Sequence, residues 1–224
     1  MNYHFDYSWL GEYWPILLKG IGITLQLSVT GAVFGIALGI FCAWVRQDGP
    51  AWLRWIVACY VELIRNTPFL IQLFFVFFGL PATGLHMTEL QAASLAMILN
   101  LGAYSCEIIR AGIKATPKGQ YEAGAALAMN RLQIFRRIVL KPALQRIWPA
   151  LSSQVVIVML GSAVCSQISA EDLTYAASFI QSRNFRAFET VFVSTLIYLM
   201  LSILVRKVMQ LIGLWIFPKR GVAR

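Results

Sequence analysis

The chain has 224 residues, of which 58% are hydrophobic and 13% charged, and its net charge is +9. Soluble domains carry about a quarter charged residues, so this composition excludes one and indicates a single domain of membrane spans. The positive charge does not mark a nucleic-acid binder, because it segregates by membrane side. The four cysteines (Cys42, Cys59, Cys106, Cys165) are scattered through apolar runs as free thiols, and His4 and His86 have no metal-type neighbours. The opening MNYHFDYSWLGEYW has no basic n-region and does not read as a cleaved signal peptide.

Residues 17–45 form the first apolar run, long enough for one span, with Gly31, Gly35 and Gly39 on a stripe suited to close helix packing. Residues 52–64 are too short to cross and read as an interfacial or span-entry helix. Asn66-Thr67-Pro68 breaks the chain before a second span at 69–81. A third span at 90–113 carries Asn100 mid-way and Glu107 and Arg110 near its end. A fourth at 150–169 carries Gln154, Ser162 and Gln167, and a fifth covers 188–214. The segments 81–90 and 170–187 read as loops. The fold class is therefore an all-α integral membrane protein of five spans, one domain over 1–224, with a loop at about 114–148 between spans 3 and 4.

Sixteen of the 19 basic residues fall on one side of this topology, in the loops 46–65 and 110–147 and in the tail with Lys219, Arg220 and Arg224. Lys19, Arg183 and Arg186 lie on the other. The positive-inside rule puts the N-terminus outside and the C-terminus in the cytoplasm, and all seven tryptophans fall at span ends as interfacial anchors.

The segment 117–149 is the longest amphipathic basic stretch and lies on the cytoplasmic side. Thr116 is positioned to cap a helix with Pro117 at its first position, and Asn130 with Gln133 signals a second, short helix from Arg131. Leu132, Phe135, Ile138 and Val139 share one face of that helix, with Arg131, Arg136 and Arg137 away from it. On the residues alone, such a helix–turn–helix either lies on the bilayer or docks another protein.

Catalytic motifs are absent: no Gly-x-x-x-x-Gly-Lys nucleotide loop, no Gly-x-Ser-x-Gly elbow and no metal-ligand spacing. The span centres hold neutral Gln72, Asn100, Gln154 and Ser162 and lack the carboxylates of an ion-coupled carrier. Glu107 with Arg110, and Glu62 with Arg65, read as structural pairs. The chain is not an enzyme, and any energy source resides in another subunit. An ion-coupled secondary carrier and a non-transporting scaffold are the competing classes.

The segment Gly119-Gln120-Tyr121-Glu122-Ala123-Gly124 resembles the Glu-Ala-Ala loop of binding-protein-dependent ABC importer permeases. YVELIRNTPFLIQLFFVFFGLP (60–81), AASLAMILNLGAYSCEIIRAGI (92–113), PKGQYEAGAALAMN (117–130) and SRNFRAFE (182–189) extend the likeness to the polar amino acid branch, whose members import histidine, arginine, glutamine and glutamate. The resemblance implies an inner-membrane permease that pairs with itself or a paralogue. It also implies docking to a cytoplasmic ABC ATPase dimer holding ATP and Mg, and service by an outer solute-binding protein. No cofactor is expected in this chain. The coupling residues carried over are Glu122, Ala123, Gly124, Ala128, Leu132 and Phe135, with Leu127 and Met129 adding apolar surface.

The sequence departs from the family pattern at several points. Gly124 replaces the third motif residue, Ala128 replaces the turn glycine, so that the turn is expected to be made by Asn130 or by a slightly different backbone, and Pro142 moves the expected helix break by one residue. Where relatives often read Lys-Asp-Thr-Ser, this chain has Leu160-Gly161-Ser162-Ala163, and Gln154 stands where some carry an acid. Asn100, Gln154, Gly161 and Ser162 are the candidate substrate-path positions, without the anion a cationic amino acid would meet.

Overall fold

The computed structural model describes residues 4–217, and every regular element among them is helical. Lys219, Arg220 and Arg224 of the basic tail lie outside the described residues. Helix α1 (Leu10–Asp48) has 39 residues and starts well before the expected residue 17. At 1.5 Å per residue it is about 58 Å long, so its ends project beyond a ~30 Å hydrocarbon core.

Helix α2 (Ala51–Arg65) is the expected short element, but the second crossing differs from expectation. Helix α3 (Phe69–Phe74) continues as a π turn (Phe75–Gly79) and a 3₁₀ turn (Leu80–Thr83). This limb is bent by 115° from α2, so residues 69–81 do not span alone: the two limbs form one broken crossing or a re-entrant hairpin. The break is chemically closed. Pro68 disfavours helix at Thr67, and the last carbonyls of α2 accept bonds from side chains. Asn66 Nδ2 donates to Glu62 O at 2.8 Å, Thr67 Oγ1 to Leu63 O at 2.8 Å, and Gln72 Nε2 to Ile64 O at 2.7 Å.

Helix α4 (Glu89–Lys114) opens with a capping box in which Thr88 and Gln91 exchange side-chain bonds with each other's backbone. Pro117, and not Thr116, occupies the N-cap position of helix α5 (Lys118–Ala126), which has no side-chain cap bond, and the Thr116 hydroxyl instead turns back toward Gly112 O at 3.5 Å. The second loop helix is a further correction. Helix α6 (Arg131–Ile134), a π turn (Phe135–Val139), α7 (Leu140–Gly161) and a 3₁₀ turn (Ser162–Ile168) follow without interruption, so the expected short helix is the first stretch of the fourth span. Pro142 does not break it. A proline here removes the bond to the carbonyl four residues back, and the π turn immediately upstream absorbs the irregularity.

The expected loop 170–187 contains helix α8 (Leu173–Asn184), whose first turn is capped by Asp172 Oδ1 accepting from Tyr175 N at 2.9 Å. Helix α9 (Ala187–Ile216) is the last described helix. Among the described residues four helical segments are long and apolar enough to cross a membrane, five if the bent pair is one crossing.

The glycine stripe packs α1 against α4. A Cβ on Gly39 would lie 2.5 Å from Ser105 Cβ, a separation no side chain tolerates, so only glycine admits this approach. One apolar cluster joins the ends of α1, α2 and α4 to the π turn and to α7 through Val61, Ile109, Phe135 and Val139. Two more continue it along the bundle around Met97 and Leu101 and around Met159 and Ile180. All four cysteines are free, but Cys59 is exposed, unlike its three buried counterparts.

Candidate functional site

The hairpin built by α5 and α6 is held by two end motifs placed back to back. Met129 N donates to Gly124 O at 3.2 Å and Ala128 N to Ala125 O at 2.9 Å, the two bonds of a Schellman closure. Its left-handed position is Ala128 itself, at φ 54°, so the turn is made there and not at Asn130. Asn130 instead begins the next helix: Asn130 Oδ1 accepts from Gln133 N and Gln133 Oε1 from Asn130 N, both at 2.9 Å, as the sequence predicts. Gly124 is buried between the helices, where a Cβ would come within 2.8 Å of Ile138 Cδ1 and 2.9 Å of Ile134 Cγ1.

That packing sorts the candidate coupling residues. Gly124 faces inward as the contact that joins the two helices. Phe135 is only 4% exposed and belongs to the core of the chain, so it is unavailable to a partner, contrary to expectation. Its neighbour Ile134, which the face reading missed, is buried with it, whereas Leu132 is 45% exposed. Glu122, Ala123, Ala128 and Leu132 lie on the open side together with Leu127, which is 75% exposed. Glu122 makes no ion pair with any described residue. Met129 is half-buried, and Arg131, Arg136 and Arg137 are exposed around this surface.

The four path candidates also divide. Ser162 is fully buried and its hydroxyl bonds to Met159 O at 2.7 Å. Asn100 is buried and donates to Gln72 Oε1 at 2.9 Å. Gln154 and Gly161, two turns apart, lie with exposed Ile157 and Leu160 along an open strip of α7, and a Cβ added at Gly161 meets nothing within 4 Å.

Charged groups form two clusters that the sequence reading saw only in part. Glu107 does pair with Arg110, whose Nε lies 2.9 Å from Oε1, but Arg46 Nη1 also reaches it at 3.0 Å and Arg65 Nη1 at 4.0 Å. Arg65 is thus bound to Glu107, not Glu62. At the opposite pole, Glu189 is fully buried and accepts from Asp6 N at 3.2 Å and pairs with Arg186 at 3.5 Å, while Arg186 also pairs with Asp6 at 3.1 Å. Asp172 is buried beside Tyr198, which donates to it at 3.2 Å, and burial pushes its carboxyl up from the ordinary 3.8 to about 6. Asp172 followed by a helical run was a legible cap signal; the burial of both acids was not legible.

Comparison with known proteins places this architecture. The model of the binding-protein-dependent transport system inner membrane component matches residues 35–217. The L-cystine transport system permease protein TcyB of Bacillus subtilis is 37% identical over 173 residues, covering 77% of this chain and 74% of the relative. The glutamine transport system permease protein GlnP of Escherichia coli K12 is 30% identical over 208 residues, covering 92% and 95%. Among solved structures, a crystal structure of an amino acid ABC transporter with histidines superposes with a TM-score of 0.83 at 31% identity, covering 94% of this chain and 99% of that one. The inward-facing MetNI methionine ABC transporter shares the fold, with a TM-score of 0.74 at 20% identity, covering 90% and 96%. The chain therefore belongs to the binding-protein-dependent transport system inner membrane components: it is a multi-pass permease subunit of the bacterial inner membrane, partnered by a solute-binding protein and by a separate ATPase that hydrolyses ATP.

Proposed function

We propose that this permease imports a polar amino acid, or a related small solute, that is not cationic, and that the 118–134 hairpin seats a cytoplasmic ABC ATPase. The carrying observation is the open surface of Glu122, Ala123, Leu127, Ala128 and Leu132 on a hairpin otherwise packed into the core through Gly124, Ile134 and Phe135. An unpaired carboxylate beside apolar groups suits a partner offering a cation within an apolar groove, where buried apolar anchors carry most of the affinity. The ATPase, with its ATP and Mg, works as a dimer under two permease copies, this chain paired with itself or with a paralogue. Its closure moves the spans as rigid bodies. The N-terminus is outside, and the segments 81–90 and 170–187 receive the solute-binding protein.

Gln154 and Gly161 face the path. The relatives' transport of glutamine and cystine supports an amino acid substrate, and the uncharged pair at these positions offers no counter-ion to a cationic side chain. Asn100 and Ser162 support the path from behind. In reconstituted complexes, Glu122→Lys uncouples hydrolysis from uptake or prevents ATPase assembly, and coupled uptake at the wild-type level would remove the hairpin from this role. Gly161→Asp shifts competition toward cationic amino acids; unchanged selectivity would place this position away from the solute.

A further inference from the structure

Helix α4 presents Asn100, Tyr104 and Glu107 to the α2–α3 corner at spacings of four and three residues, which set them on one face. Each grips the corner. Asn100 Nδ2 donates to Gln72 Oε1 at 2.9 Å. The orientation of the Gln72 amide is fixed by its surroundings, because its nitrogen faces only acceptors: Ile64 O at 2.7 Å, Thr67 O at 2.9 Å and Thr67 Oγ1 at 3.0 Å. Gln72 therefore joins three parts at once, namely the end of α2, the break and α4. Two turns further along, about 10 Å by helix rise, Glu107 reaches Arg65, the last residue of α2, at 4.0 Å, and Arg65 also lies over the Tyr104 ring at 5.6 Å. A third tie, Tyr60 OH donating to Leu99 O at 2.6 Å, fixes the middle of α2 to the same helix.

Two attachments so spaced prevent the corner from pivoting on α4, whereas one alone would act as a hinge. The C-terminal end of α4, two turns beyond Glu107, runs into the hairpin across only Ala115, Thr116 and Pro117, and Arg146 of α7 donates to Ala115 O at 2.6 Å at that junction. The α3 limb, in contrast, is irregular beyond Phe74, passing through π and 3₁₀ turns before the chain re-enters α4.

We propose that Asn100 and Glu107 are positioning residues which lock the α2–α3 corner to α4, so that displacement of the hairpin carries the corner with it as one body. This assigns Asn100, with Gln72, to the transmission of movement instead of to contact with solute. The inference rests on the reading of the hairpin as the ATPase seat.

The test uses the assembled transporter in a Cys59→Ser background, with spin labels at Ile71 on the corner and Met200 on α9, and separately at Ala111 on α4 and Met200. Distances are measured before and after vanadate trapping of ATP. In the otherwise unaltered transporter both distances shift. With Gln72→Leu and Asn100→Leu in a Tyr60→Phe background, which leaves Arg65–Glu107 as the single attachment, the α4 distance still shifts and the corner's shift is lost. The exchanged pair, Gln72→Asn with Asn100→Gln, restores the hydrogen bond and the shift, a rescue that a requirement for side-chain volume alone would not give. Should the leucine pair fail to assemble, Glu107→Gln severs the second attachment with little change of shape, and the corner's shift is again reduced relative to that of α4. Corner movement preserved in both variants overturns the inference, as does movement of α4 alone in the unaltered transporter. Absence of any shift there overturns the hairpin reading together with it.

Discussion

The two poles of the molecule treat polar groups in opposite ways. At the pole bearing α8 and the N-terminal segment, Glu189, Asp172, Asp6 and Arg186 are answered within the chain, two of the acids in full burial. At the hairpin, backbone ends are closed with equal care, yet Glu122, Leu127 and Leu132 are left open. A surface that is rigid and unsatisfied together is what a docking site requires, while a satisfied pole contributes stability. Substitutions should therefore separate: outer ones change stability, and hairpin ones change association.

The largest expected effect on stability is at Glu189. Glu189→Ala removes the buried acceptor of Asp6 N and leaves Arg186 paired with Asp6 alone, and should cost about 2–3 kcal/mol, read as a fall in the unfolding midpoint of the detergent-purified permease. A loss below 1 kcal/mol would break the comparison. Asp172 comes next. Because its folded carboxyl titrates near 6, above its unfolded value of 3.8, the folded chain holds this proton more tightly. Its contribution is full below the unfolded value and is lost as pH rises through about 6, a term of at most ~3 kcal/mol. Asp172→Asn should flatten the dependence of stability on pH between those values; an unchanged slope there would show that Asp172 is not the group responsible.

Hairpin substitutions are expected to leave the unfolding midpoint nearly unchanged. Leu127→Ala with Leu132→Ala should weaken ATPase binding by about 1–2 kcal/mol per side chain, tenfold or more in affinity, while unbound stability stays within about 0.5 kcal/mol. Equal affinity would move the docking surface elsewhere. The smallest effect sharpens the comparison from the other direction. Ala128 holds a left-handed conformation that costs a residue with a Cβ roughly 1–2 kcal/mol, so Ala128→Gly should raise stability by about 1 kcal/mol with coupling retained. A loss of stability would mean the turn is not strained.

Local signals in the sequence were legible where chemistry is local. The Asn130–Gln133 capping box, the break at Asn66-Thr67-Pro68, the glycine stripe and the Glu107–Arg110 pair all depend on neighbours within a few residues. What escaped depends on tertiary reach. Phe135 and Val139 share the apolar face that the period gives, but that face, joined by Ile134, packs into the core of the chain and not against a partner. A helical period does not say what covers a face. The 115° corner required knowing that Gln72 reaches Asn100 and that Arg65 prefers Glu107, partners 28 and 42 positions away in sequence. The sequence left the turn open between Asn130 and another backbone because alanine rarely adopts the left-handed conformation that Ala128 holds, a rule the Schellman bonds override here.

The most direct test of the central claim is cross-linking from Leu127→Cys, in a Cys59→Ser background, within the assembled transporter. The account predicts a specific adduct with the ATPase subunit, diminished by Glu122→Lys, and labelling of the introduced thiol by membrane-impermeant reagents only from the cytoplasmic side. An adduct confined to lipid or to the solute-binding protein, or labelling from outside, would contradict it.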